Sequence, residues 1–248
     1  MRKILRISLL GMLTMFSTMA LAQTEETLTI ADLHKMTKDK ANITLSIADG
    51  KVVYADANAI HVRDGEYAVI FFKTNLNLPA NAKVKGTVKV DYDNYYGVHE
   101  VKANAGTNTD NLTIEESTEE AVPVEATVED ILGLKHLCDL VIVKNVTITK
   151  EGQNFFIVSG DKKVQLYKGI DVSGYVDGKA YNVTGLFNNI YKKEPEVSPL
   201  KVESAATSVS EPTADSDKNA PAYNLAGQRT NKAARGIYIQ NGRKYVAK

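Results

Sequence analysis

The chain of 248 residues contains a single cysteine, so no disulfide can form within it. Cys138 lies in the apolar stretch "LKHLCDLVIV", and a free cysteine in such surroundings usually behaves as a small buried hydrophobic residue. The alternative is a catalytic nucleophile, which needs an adjacent base, and His136 lies only two residues away. We favour the buried thiol.

Residue spacings that mark catalytic and metal sites are also absent. The four histidines share no metal-ligand spacing such as HxxxH, and there is no nucleophile elbow, phosphate-binding loop or paired catalytic carboxylate signature. The stretch "DYDNYYGVHE" begins like a calcium loop, but Tyr95 and Tyr96 stand where an oxygen ligand and the turn glycine are needed. We therefore expect no enzyme, no metal and no cofactor.

The body of the chain has no excess of positive charge. The 30 basic and 30 acidic residues balance overall, but three basic residues lie in residues 1–22 and six in residues 221–248, where acidic residues are lacking. Residues 23–220 therefore carry 21 basic against 30 acidic residues, a net charge of −9. A protein that binds a phosphate backbone needs a basic face, so the composition argues mildly against nucleic acid.

The longest uncharged apolar run lies at the N-terminus. It extends from Ile7 to Ala20, follows three basic residues, and ends at the small-x-small cleavage motif Ala20-Leu21-Ala22. The alternative, a membrane anchor, is disfavoured because the run is short for spanning a bilayer. We predict a signal peptide over residues 1–22 and an exported mature chain without a transmembrane segment, which begins near Gln23.

Two segments of the mature chain resemble each other. "TIADL" at Thr29 and "TVEDI" at Thr127 share a Thr-x-x-Asp pattern, which is similar to a capping box and opens a short amphipathic helix. Three further pairs follow in the same order: "NAIHVRDG" with "NFFIVSGD", "KVKGTV" with "YNVTGLF", and "NLTIEES" with "PLKVES". Two diverged copies of one unit are the simplest account.

Each copy contains about five short strands after its helix. In the second copy they are predicted over residues 140–149, 155–159, 163–167, 180–187 and 200–203. Val164 and Leu166 alternate with polar residues, the pattern of a sheet with one buried face. Five short strands with glycine turns fit a small Greek-key barrel of the OB type. We predict an all-β fold with two five-stranded OB-like barrels in tandem, over residues 26–118 and 125–204.

A family resemblance rests on Gly50 to Val88, "GKVVYADANAIHVRDGEYAVIFFKTNLNLPANAKVKGTV". Here a first strand is followed by an alternating second strand that ends in Asp-Gly, a hydrophobic third strand and a Lys-Val-x-Gly start of the fourth. The segment resembles the OB-fold domains of exported Bacteroidota proteins, and the resemblance covers about residues 26–204. It implies the fold but does not identify a ligand.

The OB fold usually binds ligands on the outer surface of its second and third strands. Taking Ile60, Val62, Ala68 and Ile70 as core residues makes the outward side chains those of His61, Arg63, Tyr67, Val69 and Phe71. The aligned positions in the second copy are Ile157, Ser159, Lys163, Gln165 and Tyr167.

From these positions we predict a stacking and hydrogen-bonding platform that consists of His61, Arg63, Tyr67, Phe71 and Tyr167. The alternative is that this face packs against the second copy or the helix, because exposed phenylalanine and valine side chains together are unfavourable.

The composition changes after Ser204. Residues 205–221, "AATSVSEPTADSDKNAP", are small, polar and proline-containing, as expected of a flexible linker. The chain then ends in "GIYIQNGRKYVAK", where an Asn-Gly pair between two short apolar runs predicts a β-hairpin with a type I′ turn. An isolated two-stranded hairpin is marginal in water, so a hairpin tail is an unusual ending for a domain.

A recognisable set of tail residues comprises Tyr223-Asn224-Leu225, Gly227-Gln228, Gly236, Ile237, Tyr238, Ile239, Gly242, Lys244 and Lys248. With them, residues 222–248 resemble the C-terminal sorting tails of Bacteroidota proteins exported by the type IX system. The resemblance implies that secretion machinery reads Gly236, Tyr238, Gly242 and Lys244, and that the protein reaches the cell surface or medium, with the periplasm as the alternative. The other interpretation is a basic tail that adheres to membranes or anionic polymers.

Two functions fit these patterns. The first is a surface or secreted binding module for an oligosaccharide, a peptide or a single-stranded nucleic-acid fragment. The second is a structural or assembly component of the cell envelope whose OB faces are buried against partners. Exposure of the outward aromatic side chains favours the first, and their burial between the copies favours the second. The sequence does not indicate an oligomeric state.

Overall fold

The structure, a computed structural model, describes residues 26–175, 178–205, 221–224, 226–230, 236–240 and 243–247. The predicted signal peptide and most of the predicted linker lie outside the described residues. The chain divides into two compact units, one up to Val202 and the other from Glu203 onward. Within the described residues, no helix has the length and apolar character needed to cross a membrane.

The larger unit is built from two successive sets of strands, each with one short helix. The first set is β1 (Thr27–Thr29), α1 (Ile30–Leu33), β2 (Lys40–Ala55), β3 (Ala59–Asp64), β4 (Tyr67–Phe72), β5 (Lys83–Tyr95), β6 (Val98–Lys102) and β7 (Leu112–Glu115). The second set is β8 (Val124–Ala126), α2 (Val128–Leu132), β9 (Leu140–Glu151), β10 (Asn154–Ser159), β11 (Lys162–Leu166), β12 (Ala180–Tyr191) and β13 (Glu194–Ser204). We call these sets the first half and the second half.

The first half forms a sheet with the order β1-β2-β3-β4-β6-β5-β7, and the additional pairing of β2 with β5 closes five strands into a barrel. The second half has the order β10-β11-β13-β12-β9-β8, and β10 also pairs with β9. Strands β9 to β13 therefore follow the same ring of pairings as β2 to β6. The third and fifth strands of each ring are parallel, as the pairs β4–β6 and β11–β13 show. The predicted all-β fold with a five-stranded barrel is confirmed.

Both helices begin at the predicted capping boxes. The Thr127 hydroxyl accepts from the Asp130 N–H at 3.0 Å, and the Asp130 carboxylate accepts from the Thr127 N–H at 2.9 Å. Thr29 and Asp32 form the same pair of bonds in the first half. Because these caps satisfy the polar start of each helix, its apolar side chains can enter the core of its own half.

The matched glycines of the repeat, Gly86 and Gly185, lie where another segment approaches the strand closely. A Cβ added at Gly86 would lie 2.1 Å from the Asn111 carbonyl oxygen, and one added at Gly185 would lie 2.6 Å from the Ser198 carbonyl oxygen. No side chain fits at either distance. The glycine pair recognised in the sequence therefore marks the same close backbone contact in both halves.

The main difference from the predicted strands concerns β12 and β13. Strand β12 continues past residue 187 to Tyr191, and β13 begins at Glu194, before residue 200. The two strands meet at a two-residue turn. That turn consists of Lys192 and Lys193, whose φ angles are +51° and +73°. Asn and Gly are the residues that normally signal such a turn, so a Lys-Lys pair gives no hairpin signal in the sequence.

The smaller unit contains β14 (Ala222–Asn224), β15 (Arg229–Thr230), β16 (Gly236–Gln240) and β17 (Arg243–Ala247) in a sheet of order β15-β14-β16-β17. Strands β16 and β17 are antiparallel, and Gln240 pairs with Arg243, so two residues join them. Those two residues, Asn241 and Gly242, lie outside the described residues. The two strands of the expected hairpin thus belong to a sheet of four strands.

Candidate functional site

The predicted ligand face on β3 and β4 is not open to solvent. Ala68 and Ile70 lie on it and pack in the hydrophobic cluster of the second half, whereas Val69 and Phe71 belong to the core of the first barrel. The prediction that Val69 and Phe71 face outward is wrong. The alternation of inward and outward side chains along β4 is displaced by one residue from the predicted one, and such a shift moves every side chain of a strand to the other face. Since both faces of "YAVIFF" are buried, its hydrophobicity does not reveal the phase. Ile157, also expected to face outward, is likewise a core residue.

His61 and Arg63 point out of the barrel, as predicted, but contact the second half instead of solvent. His61 is 0% exposed, and its Nδ1 donates to the Cys138 carbonyl oxygen at 2.7 Å. Arg63 forms a bidentate ion pair with Asp139, with Nε–Oδ2 at 2.6 Å and Nη2–Oδ1 at 2.8 Å, and donates to the Val122 carbonyl oxygen at 3.0 Å. The outer face of β3 and β4, which usually binds ligands in OB folds, is in this chain the contact surface between the two halves.

Apart from the Arg63–Asp139 ion pair, the shifted titratable groups of this interface favour their neutral forms. Burial lowers the pKa of His61, whose Nε2 has no hydrogen-bond partner, and burial next to His34 lowers the pKa of His99 to about 4. Burial raises the pKa of the Cys138 thiol, which donates weakly to the His99 carbonyl oxygen. A buried neutral thiol is a poor nucleophile, so these groups suit packing better than catalysis.

The other two predicted site residues lie in different cavities. Tyr67 is 39% exposed, stacks against His34 with ring centroids 4.9 Å apart, and lines a small cavity of about 170 Å³. Tyr167 is half-buried and lines a groove of about 840 Å³. The structure therefore does not bring His61, Arg63, Tyr67, Phe71 and Tyr167 together in one site.

The groove that contains Tyr167 lies between two hairpins, one joining β5 to β6 and the other joining β12 to β13. It is lined by Tyr95, Tyr96, Asn154, Gln165, Tyr167, Asn189, Ile190, Tyr191, Lys192, Lys193 and Glu196. We call it the tyrosine groove. Its volume falls in the range of typical small-ligand sites, about 300–1,000 Å³.

The two hairpins are equivalent parts of the repeat. Tyr95 and Tyr191 each end the longer strand, and a two-residue turn follows each of them. In the first hairpin the turn residues Tyr96 and Gly97 have φ angles of +53° and +101°, so both turns have the positive φ values of a type I′ turn. A Cβ added at Gly97 would lie 3.1 Å from Ile190 Cδ1, so the hairpins are in contact.

Aromatic rings form the upper part of the groove. Tyr96 is 77% exposed, Tyr191 58% and Tyr95 50%. The rings of Tyr95 and Tyr96 meet edge to face, with centroids 4.9 Å apart. Large aromatic side chains are normally covered in a folded protein, so three exposed rings at one groove make it a candidate binding surface.

The base of the groove holds a buried carboxyl group. Glu196 is 2% exposed and accepts hydrogen bonds from Gln165 Nε2, at 2.8 Å, and from Asn189 Nδ2. Gln165 lies opposite Glu196 in the parallel pair β11–β13. Burial raises the pKa of Glu196, while the hydrogen bond from Asn189 opposes that shift. The two amides hold the carboxyl group in one orientation towards the groove.

Lysine ammonium groups lie over three of the tyrosine rings. The distances from Nζ to the ring centroid are 4.8 Å for Lys168 over Tyr167, 5.1 Å for Lys192 over Tyr191 and 6.0 Å for Lys102 over Tyr95. Lys102 also pairs with Asp93. The rim of the groove is therefore both aromatic and cationic.

The described side chains that line the groove are mainly tyrosine, lysine and amide groups. Across the part of the chain that the structure describes, no three His, Cys, Asp or Glu side chains come together to hold a metal ion. Aromatic faces, amide donors and one oriented carboxyl group can stack on a ring and hydrogen-bond its substituents.

Strand alternation identifies Gln165 and Tyr167 as outward-facing, but it misses Tyr95, Tyr96 and Tyr191. A signal for two of them exists, since Tyr95 and Tyr191 occupy matching places in the repeat. That match becomes apparent only when the second hairpin is aligned with the first, and the Lys-Lys turn conceals the hairpin.

No protein-family model and no curated protein sequence matches this chain.

Proposed function

We propose that this chain is an exported, non-enzymatic binding protein with two OB-fold domains in tandem, and that it binds an oligosaccharide in the tyrosine groove. The shared ring of five strands, with its parallel third and fifth members, supports the OB assignment. Barrels of this type bind oligosaccharides and oligonucleotides, so both ligand classes are compatible with the fold.

One observation carries the choice of ligand: three exposed tyrosine rings stand over a buried carboxyl group that two amides orient. A sugar ring offers an apolar face for stacking and a rim of hydroxyl groups that donate and accept hydrogen bonds, which matches this combination. A nucleic acid fits less well because the buried Glu196 carboxyl group disfavours a phosphate backbone along the base of the groove. A peptide that binds by strand addition needs an exposed sheet edge, whereas the base of the groove is a paired part of the β11–β13 ladder.

The test is a binding assay on the mature chain with an array of oligosaccharides, single-stranded oligonucleotides and peptides, followed by calorimetry with the strongest ligand. Tyr191→Ala should weaken oligosaccharide binding on the order of tenfold or more, because the stacking face is lost. Its melting temperature should stay close to that of the wild type, since the ring is 58% exposed.

Tyr67→Ala is the matched control, because Tyr67 is also exposed but lines the small cavity. If Tyr67→Ala loses oligosaccharide binding while Tyr191→Ala binds fully, the ligand binds at the edge of the β3–β4 face and not in the tyrosine groove. Binding of an oligonucleotide or peptide alone would replace the proposed ligand class.

A second candidate is a structural or assembly component of the cell envelope. It is favoured by the burial of the β3–β4 face, where His61, Ala68 and Ile70 are covered by the second half. In this view the first barrel has no ligand face, and the groove receives a protein partner. An array with no ligand, together with a cross-link from a groove residue to one envelope protein in cells, would favour this candidate.

The proposed route of export uses the signal peptide at residues 1–22 and the type IX machinery, which would read the tail. Gly236 and Tyr238 lie in β16, and Lys244 lies in β17. Gly242 lies outside the described residues. Periplasmic retention is the alternative destination, and adhesion through a basic tail is the alternative role of these residues.

A further inference from the structure

We infer that the oligosaccharide of the tyrosine groove is anionic and that its carboxylates are bound by the lysines at the rim. This inference rests on the proposed function, because it specifies the charge of the ligand in the same site. The ligand class is an oligomer of uronic acids, in which each ring has both a face for stacking and a carboxylate at its edge.

The first observation is the position of the rim cations. Lys168 and Lys192 hold their ammonium groups over the Tyr167 and Tyr191 rings, and Lys193 lines the groove beside them. Among the described residues, no carboxylate lies within ion-pair distance of these three lysines, whereas Lys102, which also lies at the rim, is paired with Asp93. Three cations without acidic partners around one cavity are suited to an acidic ligand.

An exposed contact between an ammonium group and a ring is weak, and a lysine side chain is flexible. A sugar ring can therefore displace Lys192 from the face of Tyr191 without a large loss of stability. The ammonium group then remains at the edge of the groove. There it can meet the carboxylate of the stacked ring.

The second observation is the turn that carries two of these lysines. Lys192 and Lys193 both have positive φ angles, +51° and +73°, a conformation that non-glycine residues rarely adopt. Asn-Gly is the favoured pair at such a turn. At this turn the chain has two adjacent positive charges beside the groove in place of the favoured Asn-Gly pair.

Two features favour carboxylates on sugars over phosphates. The lining residues include no arginine, although arginine is the side chain that matches phosphate bidentately. The buried Glu196 at the base disfavours a polyphosphate strand along the groove but can accept a hydrogen bond from a sugar hydroxyl. The positive charge therefore lies at the rim, where the edges of stacked rings lie, while the base is suited to neutral hydroxyl groups.

The test compares oligogalacturonate and oligomannuronate with their fully methyl-esterified forms, which keep the sugar rings and remove the charge. In calorimetry on the mature wild-type chain, at least one acid should bind roughly tenfold more tightly than its ester at low salt. The difference should shrink as salt is added, because exposed charge pairs are screened.

The decisive variant is Lys192→Asn with Lys193→Gly, which removes both charges and installs the favoured turn pair. It should fold at least as stably as the wild type, keep its affinity for the ester and lose the preference for the acid. Lys73→Gln is the matched control, because Lys73 also has a positive φ angle and lies over a ring, that of Phe72, outside the groove. It should keep the preference for the acid.

Equal affinities for acid and ester, both reduced by Tyr191→Ala, would overturn this inference and leave a neutral oligosaccharide as the ligand. Failure of all these sugars to bind would overturn the inference, and failure of every sugar on the array would overturn the proposed function as well. An oligothymidylate that binds with the same dependence on Lys192 and Lys193 would overturn both in favour of a nucleic acid.

Discussion

At the scale of single residues, the interface between the halves depends on a few polar side chains with fixed partners. Arg63 and Asp139 are largely buried, with 17% and 1% of their side chains exposed, and they bind each other through two hydrogen bonds. Because each charge is neutralised by the other, removing one leaves the other buried without a partner. The sequence indicates that Arg63 faces outward, but it does not indicate that Asp139 lies opposite.

We expect Arg63→Ala to lower the free energy of unfolding by about 3–5 kcal/mol, the usual effect of breaking a buried ion pair. Urea titration of the mature chain measures this change. Lys35→Ala is the control, since its ion pair with Asp32 is exposed to solvent and contributes little to stability. If Arg63→Ala has no larger effect than Lys35→Ala, the ion pair does not join the halves. The double change Arg63→Met with Asp139→Leu should recover much of the loss, because it leaves no buried charge.

The buried histidines make stability depend on pH. Burial lowers the pKa values of His34, His61 and His99, that of His99 to about 4, from an ordinary value near 6.5. At these histidines the unfolded chain binds more protons than the folded one between these limits, so they make stability fall as pH falls from 6.5 towards 4. Protonation of His61 adds a further penalty, because its Nε2 would become a buried donor without an acceptor.

We expect His99 to lower the free energy of unfolding by up to about 3 kcal/mol over this pH range, an effect that the raised pKa values of Glu100 and Glu196 oppose. Urea titrations at several pH values measure the slope, and His99→Asn should make the slope shallower. His136→Asn serves as the comparison, because His136 lies between α2 and β9 and not in β6. An unchanged slope in His99→Asn would assign the acid sensitivity to other groups.

At the scale of single elements, local sequence rules work where partners are close in sequence. The capping boxes at Thr29 and Thr127 were predictable because the Thr and Asp side chains lie three residues apart on one turn. The alternation in β11 correctly separated Val164 and Leu166 from Gln165 because one face of that strand is buried. The phase of β4 was not predictable, since a second sheet covers its outer face and leaves no polar side to read.

The second capping box provides a prediction for α2. Thr127→Ala should lower the free energy of unfolding by about 1 kcal/mol, because the Asp130 N–H loses its acceptor. Thr127→Ser keeps the hydroxyl and should remain near the wild-type value. Hydrogen bonds from Thr127 lower the pKa of Asp130 to about 2. The stabilisation that comes from the Asp130 carboxylate is therefore lost when pH falls through that value. Equal stabilities of the Ala and Ser variants in urea titration would contradict the role of the cap.

At the scale of the whole molecule, the chain consists of a larger unit with two closed rings of strands and a smaller unit with a separate sheet. The larger unit contains the tyrosine groove, and the smaller one contains the tail that resembles a sorting signal. If the tail is a signal, it acts during export and is not needed for the fold of the larger unit.

We expect deletion of residues 222–248 to leave the melting temperature of the larger unit nearly unchanged and to move the protein from the cell surface or medium to the periplasm. Cell fractionation and calorimetry measure the two effects. Tyr238→Ala should mimic the deletion if the tail is read as a signal. In a basic adhesion tail, Tyr238→Ala would be silent, and changes at Arg243 and Lys244 would be additive and sensitive to salt. Unchanged localisation after deletion would exclude the sorting role.

Local patterns alone establish the all-β class, the two capped helices, the repeat and the strands of the terminal hairpin. They succeed because alternation, capping and turn chemistry depend on residues within a few positions of one another. Tertiary contacts decide that the β3–β4 face is an interface and that Tyr95, Tyr96, Tyr167 and Tyr191 meet in one groove. Of these residues, Tyr95 and Tyr191 lie on hairpins nearly one hundred positions apart in the chain. A local pattern does not indicate which side chains such distant strands bring together.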